Sequence, residues 1–400
     1  MAKRRPSGDG MVRKRENGRW EGRIVVGHKN NGEPIFRSVY AKTQKELLDK
    51  LHREIEVYQD AELTEDSLMT LGEWLDKWLD EYAAPTVRYN TICGYRRCVE
   101  YIKPILGDRQ ISSITTEDVQ RMYRRLREHG RVKEHPEYGW SLSATTVRHV
   151  HSMLHLAMDA AVREHLTARN PTVGAVPPKA EPAPKRILTE QQLDTFMAAI
   201  RQDETWYDFF YTEITTGLRR GEICGLRWTD FDAKAGTIKV QRTIHMEGGR
   251  PVAGATKTGK GTRTILLPQG TAEVLQKRKA SCYSEWIFPN LTKPELPLSP
   301  HSAYTHLKAI LKKANLPDIR FHDLRHTFST HALTSGVDAK TLSGILGHTN
   351  ASFTLDTYTH ITGDMQKRAA EVVGGFMEDI FGKELRPWER NAKAVTVPST

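Results

Sequence analysis

HDLRHTFSTHAL, residues 322–333, sets His322 and Arg325 three positions apart. On a helix, side chains at this spacing have Cβ atoms about 5–6 Å from each other, so both can reach one anionic group. A guanidinium suits such a group because it donates two parallel hydrogen bonds and never loses its charge. Outward along the chain, three more segments carry side chains of the same kind. They are TGLRRGEICGLRW at 216–228, TKTGKGTRTILLP at 256–268 and LGHTNASFTLDTYTH at 346–360. Between them they supply Arg219, Glu222, Lys257, His348 and Tyr358.

This set fits one reaction. Attack on a phosphodiester passes through a five-coordinate state with extra negative charge on the non-bridging oxygens. Two arginine clamps answer that charge, and losing one preorganised donor often costs roughly 3 kcal/mol of barrier. A lysine among cations is a natural proton donor to a departing 5′-hydroxyl, since its pKa falls readily. A tyrosine nucleophile stores the bond energy as a phosphotyrosyl ester. Religation then needs no ATP, and no GxxxxGK[ST] loop is present to bind it.

The four motifs, in this order, resemble the tyrosine recombinase family over roughly residues 185–370. By that resemblance Arg219 and Arg325 are the two catalytic arginines and Lys257 the catalytic lysine. His322 and His348 take the two histidine positions, Tyr358 is the nucleophile and Glu222 is an acidic companion that orients its neighbours. The resemblance implies double-stranded DNA as substrate, with core-type and arm-type sites, and a homo-tetramer exchanging strands through a Holliday junction. It implies no metal and no cofactor. A directionality or excision factor and a DNA-bending protein are expected partners by family analogy only. Two other readings stay open at this point: a type IB topoisomerase that relaxes supercoils, and a DNA-binding regulator that does not cut. Singly, Arg219 would pass for a surface arginine, Lys257 for part of a phosphate-binding loop, His348 for a helix cap and Tyr358 for core packing.

Charge distribution points to a second DNA-contacting region. The formal net charge is +10 over 400 residues. Residues 1–45 hold twelve Lys/Arg against four Asp/Glu, a net +8, and the remainder is nearly balanced at 47 against 45. A concentrated basic arm favours a polyanionic partner. Asn17-Gly18 and Asn31-Gly32 mark two turns within this arm, and two-residue type I′ turns are expected from such dipeptides. They separate three strands, backed by the amphipathic segment TQKELLDKLHREIEVY. Counting outward from tight turns puts Met11, Trp20, Ile24, Val26, Ile35 and Val39 on one face. Lys14, Arg19, Arg23 and Tyr40 fall on the other, which is the expected DNA-binding face.

The expected fold class is α+β and multidomain. An arm module (1–62) of three strands and a helix precedes an all-α bundle (63–170) that resembles the core-binding domain of the family. A Pro-rich linker (171–184) leads to a mainly helical catalytic domain with a small antiparallel sheet (185–382). A flexible tail (383–400) follows, and a terminal helix near Met365–Phe381 is expected to pack on a neighbouring protomer. Pro171, Pro177, Pro178, Pro182 and Pro184 make the linker semi-rigid. His149-Val150-His151 matches a metal-binding signature that belongs on a strand. Here it falls in a helical pattern, where residues two apart point about 200° apart and cannot share a metal. The four cysteines lack zinc-ligand or disulfide spacing, which fits a reducing bacterial cytoplasm with the protein at the nucleoid. No run of 18 apolar residues is present to span a membrane, and the N-terminus lacks a secretory signal.

Overall fold

The computed structural model describes residues 11–58, 61–180, 186–255 and 261–347, with 370, 371 and 373 beyond them. It divides into two compact units, Met1–Ala183 and Pro184–Thr400.

The first unit opens with an antiparallel sheet in the order β1 (Met11–Lys14), β2 (Trp20–His28), β3 (Pro34–Ala41). Both Asn-Gly dipeptides do turn the chain, but by another route than the type I′ turn. Gly18 donates to Arg15 O and Arg15 to Arg19 O, with Gly18 at φ +78°. The second loop repeats this with Lys29, Gly32 and Glu33, and Gly32 at φ +83°. Each is a type I turn closed by a left-handed glycine, a three-residue loop rather than a two-residue one.

One extra residue shifts the register by one. Met11 pairs with Arg23 and Lys14 with Trp20. Met11 therefore lies on the open face, 57% exposed, instead of under the helix. Lys14 shares the face of Trp20, away from Arg23 and Tyr40, and Arg19 sits in the turn rather than on a strand. Ile24, Val26 and Ile35 are buried beneath α1 (Gln44–Tyr58), and Val39 is packed there too.

The segment after α1 packs back onto the sheet. Leu63 is 2% exposed and its N–H donates to Val26 O, 2.9 Å. Gly27 makes this possible, since a Cβ there would lie 2.0 Å from Leu63 O. Tyr58 then reaches Ser112 O at 3.4 Å, and Thr64 N–H donates to His165 O.

The bundle comprises α2 (Leu71–Lys77), extended by a π-turn at Trp78–Ala83, then α3 (Tyr89–Leu106), α4 (Thr116–His129) and α5 (Ala144–Arg163). Thr70 and Thr115 close capping boxes with Glu73 and Asp118, satisfying N-terminal donors that would otherwise be orphaned. Leu71, Trp74, Ile102, Met122 and Val147 are among its buried residues, and the Trp74 indole donates to Ala157 O. Each such side chain contributes about 1.5–3 kcal/mol on burial. His149-Val150-His151 lies on α5 with Val150 inward, and His151 bonds to the Tyr123 hydroxyl.

The Pro-rich stretch begins as structure rather than spacer. Pro171, Thr172 and Ala175 are buried against the bundle, and Gln120 exchanges two bonds with the Val176 backbone.

The second unit contains α6 (Glu190–Ile200), α7 (Tyr207–Thr216), α8 (Arg220–Cys224), α9 (Gln269–Ser281), α10 (Pro300–Lys313), α11 (Phe321–Thr334) and α12 (Ala339–Leu346). A small antiparallel sheet runs β4 (Phe231–Asp232), β5 (Thr237–Val240), β8 (Arg263–Leu266), with β6 (Arg242–Glu247) and β7 (Arg250–Ala255) as a separate hairpin. Phe196, Phe210, Ile238, Leu275, Leu307 and Leu324 are fully buried in its core. No helix among the described residues is long and apolar enough to cross a membrane.

Candidate functional site

Arg219 and Arg325 come from distant segments and meet at one helix end. Arg219 caps the short α8, where its N–H donates to Glu222 Oε2 at 3.0 Å. Arg325 lies in the second turn of α11 and is 1% exposed. Core packing around Leu324 and Phe321 holds that helix, so the guanidinium has one place to go.

The C-terminus of α12 receives both. Arg325 Nη2 donates to Leu346 O at 2.7 Å, and Nη1 to Gly217 O at 2.9 Å. Arg219 Nη2 donates to Gly347 O at 3.1 Å. A third arginine completes the row, Arg263 of β8, whose Nε donates to Ile345 O at 2.6 Å. Three successive carbonyls, 345 to 347, are thus each held by a different guanidinium. Unpaired carbonyls at a helix C-terminus carry partial negative charge, which is why cations collect there.

Glu222 ties two of the arginines together. Its carboxylate accepts from Arg219 Nη1 at 2.7 Å, from Arg263 Nη2 at 2.8 Å and from Arg263 Nη1 at 3.2 Å. It is 3% exposed. Burial alone would raise its pKa, but the paired guanidinium of Arg263, then the charge of Arg219, hold it below the ordinary carboxylate range.

His322 sits one helical turn before Arg325, its ring edge-on to His326 with centroids 4.7 Å apart. Desolvation first, then the charges of Arg325 and Arg219, lower its pKa. The residue is exposed to solvent. This shift favours the neutral imidazole, whose unprotonated ring nitrogen can accept a proton.

Glu213 on α7 is fully buried, and neither carboxylate oxygen has a hydrogen-bond partner among the described residues. Burial drives its pKa well above the usual range, against the pull of Arg325, which favours its protonated form.

The structure therefore gathers Arg219, Glu222, His322 and Arg325, and adds Arg263 and Glu213, which the motif reading passed over. Lys257, His348 and Tyr358 lie outside the described residues. Lys257 follows β7 in sequence and His348 directly follows Gly347. Among the described residues no His, Cys, Asp and Glu cluster is disposed to hold a metal.

In the first unit, the open sheet face carries Arg23 and Tyr40 as expected, joined by Arg13 and Arg15, while Lys14 and Arg19 lie elsewhere.

Comparison with known proteins identifies relatives along most of the chain. Residues 186–364 match the profile described as phage integrase family, and residues 70–127 that of the phage integrase N-terminal SAM-like domain. A tyrosine recombinase XerC-like protein of Caldanaerobacter subterraneus subsp. tengcongensis is 26% identical over 388 residues, covering 90% of this chain and 95% of that protein. Among solved structures, the Tn1549 transposon integrase (residues 82–397), in complex with circular intermediate DNA, superposes with a TM-score of 0.64 at 25% identity. That match covers 76% of this chain and all of the other. A lambda integrase tetramer bound to a Holliday junction shares the fold at a TM-score of 0.56 and 19% identity, covering 88% and 98%. The chain belongs to the phage integrase family of tyrosine recombinases.

Proposed function

We propose that this chain is a site-specific recombinase that integrates and excises a mobile element, a phage or conjugative transposon, in the bacterial cytoplasm. It cleaves and rejoins DNA through a 3′-phosphotyrosyl intermediate. The observation that carries this reading is the convergence of Arg219 and Arg325 on adjacent carbonyls at the end of α12, with His322 beside them. Few tasks other than holding a phosphate call for two guanidiniums so close together.

In this reading the Tyr358 hydroxyl oxygen attacks phosphorus and the P–O5′ bond breaks. The departing 5′ oxygen takes a proton from Lys257, and the phenolic proton passes to a neutral imidazole, for which His322 is suited. Arg219 and Arg325 hold the non-bridging oxygens through the five-coordinate state, with His348 as a further donor. Religation reverses these steps with a 5′-hydroxyl from the exchanging strand. The bundle and the second unit take the core-type site, and the basic sheet takes the arm-type site. The lambda integrase tetramer bound to a Holliday junction supports a tetramer here.

The test is covalent capture on nicked duplexes spanning the ends of the element that encodes the chain. The expected result is a protein–DNA adduct on a 3′-phosphate with the unaltered chain, and none with Tyr358→Phe. Tight binding with no adduct from either would point to a regulator that does not cut.

A further inference from the structure

Glu21 is the second residue of β2, paired with Arg13 of β1 and Tyr40 of β3, on the face of the sheet turned away from α1. A carboxylate in such a place ordinarily stays hydrated, yet this side chain is 0% exposed. What covers it is a ring of donors from all three strands and a turn. Arg13 Nε donates at 2.6 Å, Arg15 Nε at 3.0 Å and Nη2 at 3.1 Å, Arg23 Nε at 3.1 Å, and the Tyr40 hydroxyl at 3.1 Å. The Arg15 guanidinium also lies 5.2 Å from the Tyr40 ring centroid. The Arg15 hydrogen bonds, helped by those of Arg13, Arg23 and Tyr40, hold the Glu21 pKa down at about 2, so the anion persists across working pH.

The way the arginines bind matters. Arg13 and Arg23 use the inner nitrogen Nε, and no bond among the described residues occupies their outer Nη groups. Their side chains remain 49% and 33% exposed. An arginine anchored at Nε keeps its outer nitrogens for a second partner. That pair of donors matches the O6 and N7 acceptors of guanine in the major groove, or two oxygens of a phosphate.

We infer that Glu21 is a positioning residue for DNA recognition, pinning Arg13 and Arg23 so that their outer nitrogens stand in a fixed fan towards a duplex, while Arg15 grips the carboxylate through both Nε and Nη2. The inference rests on the reading that this sheet contacts DNA. Plain electrostatics runs the other way, because a carboxylate on a DNA-facing surface repels phosphate. Its presence is explained if order, rather than charge, is what it supplies: the rotamer freedom of three arginines is lost in the free protein and not on binding.

The opposed signs make the test sharp. The full chain is used to enrich binders from a randomised duplex library, and affinities for the enriched and a scrambled duplex are measured across salt. Arg13→Ala and Arg23→Ala are expected to erode the enriched motif. Glu21→Gln should bind the scrambled duplex as well or better, with a salt slope steeper by about one charge. It should at the same time lose about tenfold in the ratio of enriched to scrambled affinity, the scale of one bidentate base contact. Equal gains on both duplexes, with the ratio intact, would make Glu21 a simple charge and overturn the inference. Unchanged enrichment and affinity in the alanine variants would instead overturn the underlying reading, and the inference with it. Amide-exchange protection of the three strands checks that the variants fold. Should Glu21→Gln fail that check, Arg13→Lys and Arg23→Lys serve in its place. Lysine keeps the charge but has no inner nitrogen, so the ratio should fall with the salt slope unchanged, and an unchanged ratio would refute the fan.

Discussion

Replacing Arg263 by methionine isolates what holds the end of α12. The arginine side chain is 7% exposed, and it makes two bonds to Glu222, one to Ile345 O and one to Gly261 O. Removing one partner of a buried ion pair costs about 3–5 kcal/mol, because the other charge is left without compensation. Glu222 keeps Arg219, both through its guanidinium and its backbone N–H, so the lower end applies, about 3 kcal/mol. In a unit of roughly 200 residues, 1 kcal/mol moves the midpoint by about 2–4 °C, which gives a drop of about 6–12 °C. Urea and thermal unfolding followed by tryptophan fluorescence would read it, with Trp206, Trp228 and Trp286 reporting on this unit. Glu222→Gln combined with Arg263→Met should cost less than the two single changes summed, by about 1–3 kcal/mol. A loss below about 1 kcal/mol for Arg263→Met, or strict additivity in the double variant, would refute the reasoning.

Other consequences can be checked independently. Glu213 has a folded pKa above its unfolded value, so unfolding releases its proton as pH rises past the ordinary carboxylate range, and stability falls. Glu213→Gln should therefore raise the unfolding midpoint at pH 7, with the difference shrinking towards pH 4. For His322 the folded pKa lies below the unfolded one, so its neutral form adds stability above the ordinary histidine range that is lost as pH falls towards the folded pKa. Arg219→Gln removes one of the charges that depress it. An NMR titration should show the His322 pKa rising, and no change would mean the two side chains are not coupled. Gly27→Ala places a methyl group against the Leu63 carbonyl and should destabilise the first unit by about 1–3 kcal/mol or more, seen as lost amide-exchange protection in the three strands.

The motifs of the second unit were legible because their chemistry is rare: few tasks call for two arginines, a lysine, histidines and a tyrosine in fixed order. The hairpin register was not. An Asn-Gly dipeptide supplies a left-handed glycine to both a two-residue loop and a type I turn with a bulge, so the dipeptide alone leaves the count open by one. That single residue exchanged the faces of Met11 and Lys14, putting Met11 on the open side and Lys14 on the side of Trp20. Arg263 did carry a signal, since it alternates in phase with the buried Ile265 and a charge at such a position must find a partner. Glu213 likewise falls on the apolar stripe of α7 with Phe209 and Phe210. Glu21 left no trace, because a polar residue on a polar strand face is what any exposed sheet shows. The burial of Leu63 was not legible either, since no local pattern announces that a glycine in another strand has made room.

The row of guanidiniums on α12 bears on how this region is free to drift over generations. Its contacts are made to main-chain oxygens, which every residue type provides. Ile345 and Leu346 can therefore exchange for other apolar residues without disturbing the arginines. The same tolerance does not extend to Gly347, which sits at φ +65° and where a Cβ would fall 2.9 Å from Arg263 Nη1. Descendants of this chain should vary in the lettering of the helix while its endpoint and its three cations stay fixed.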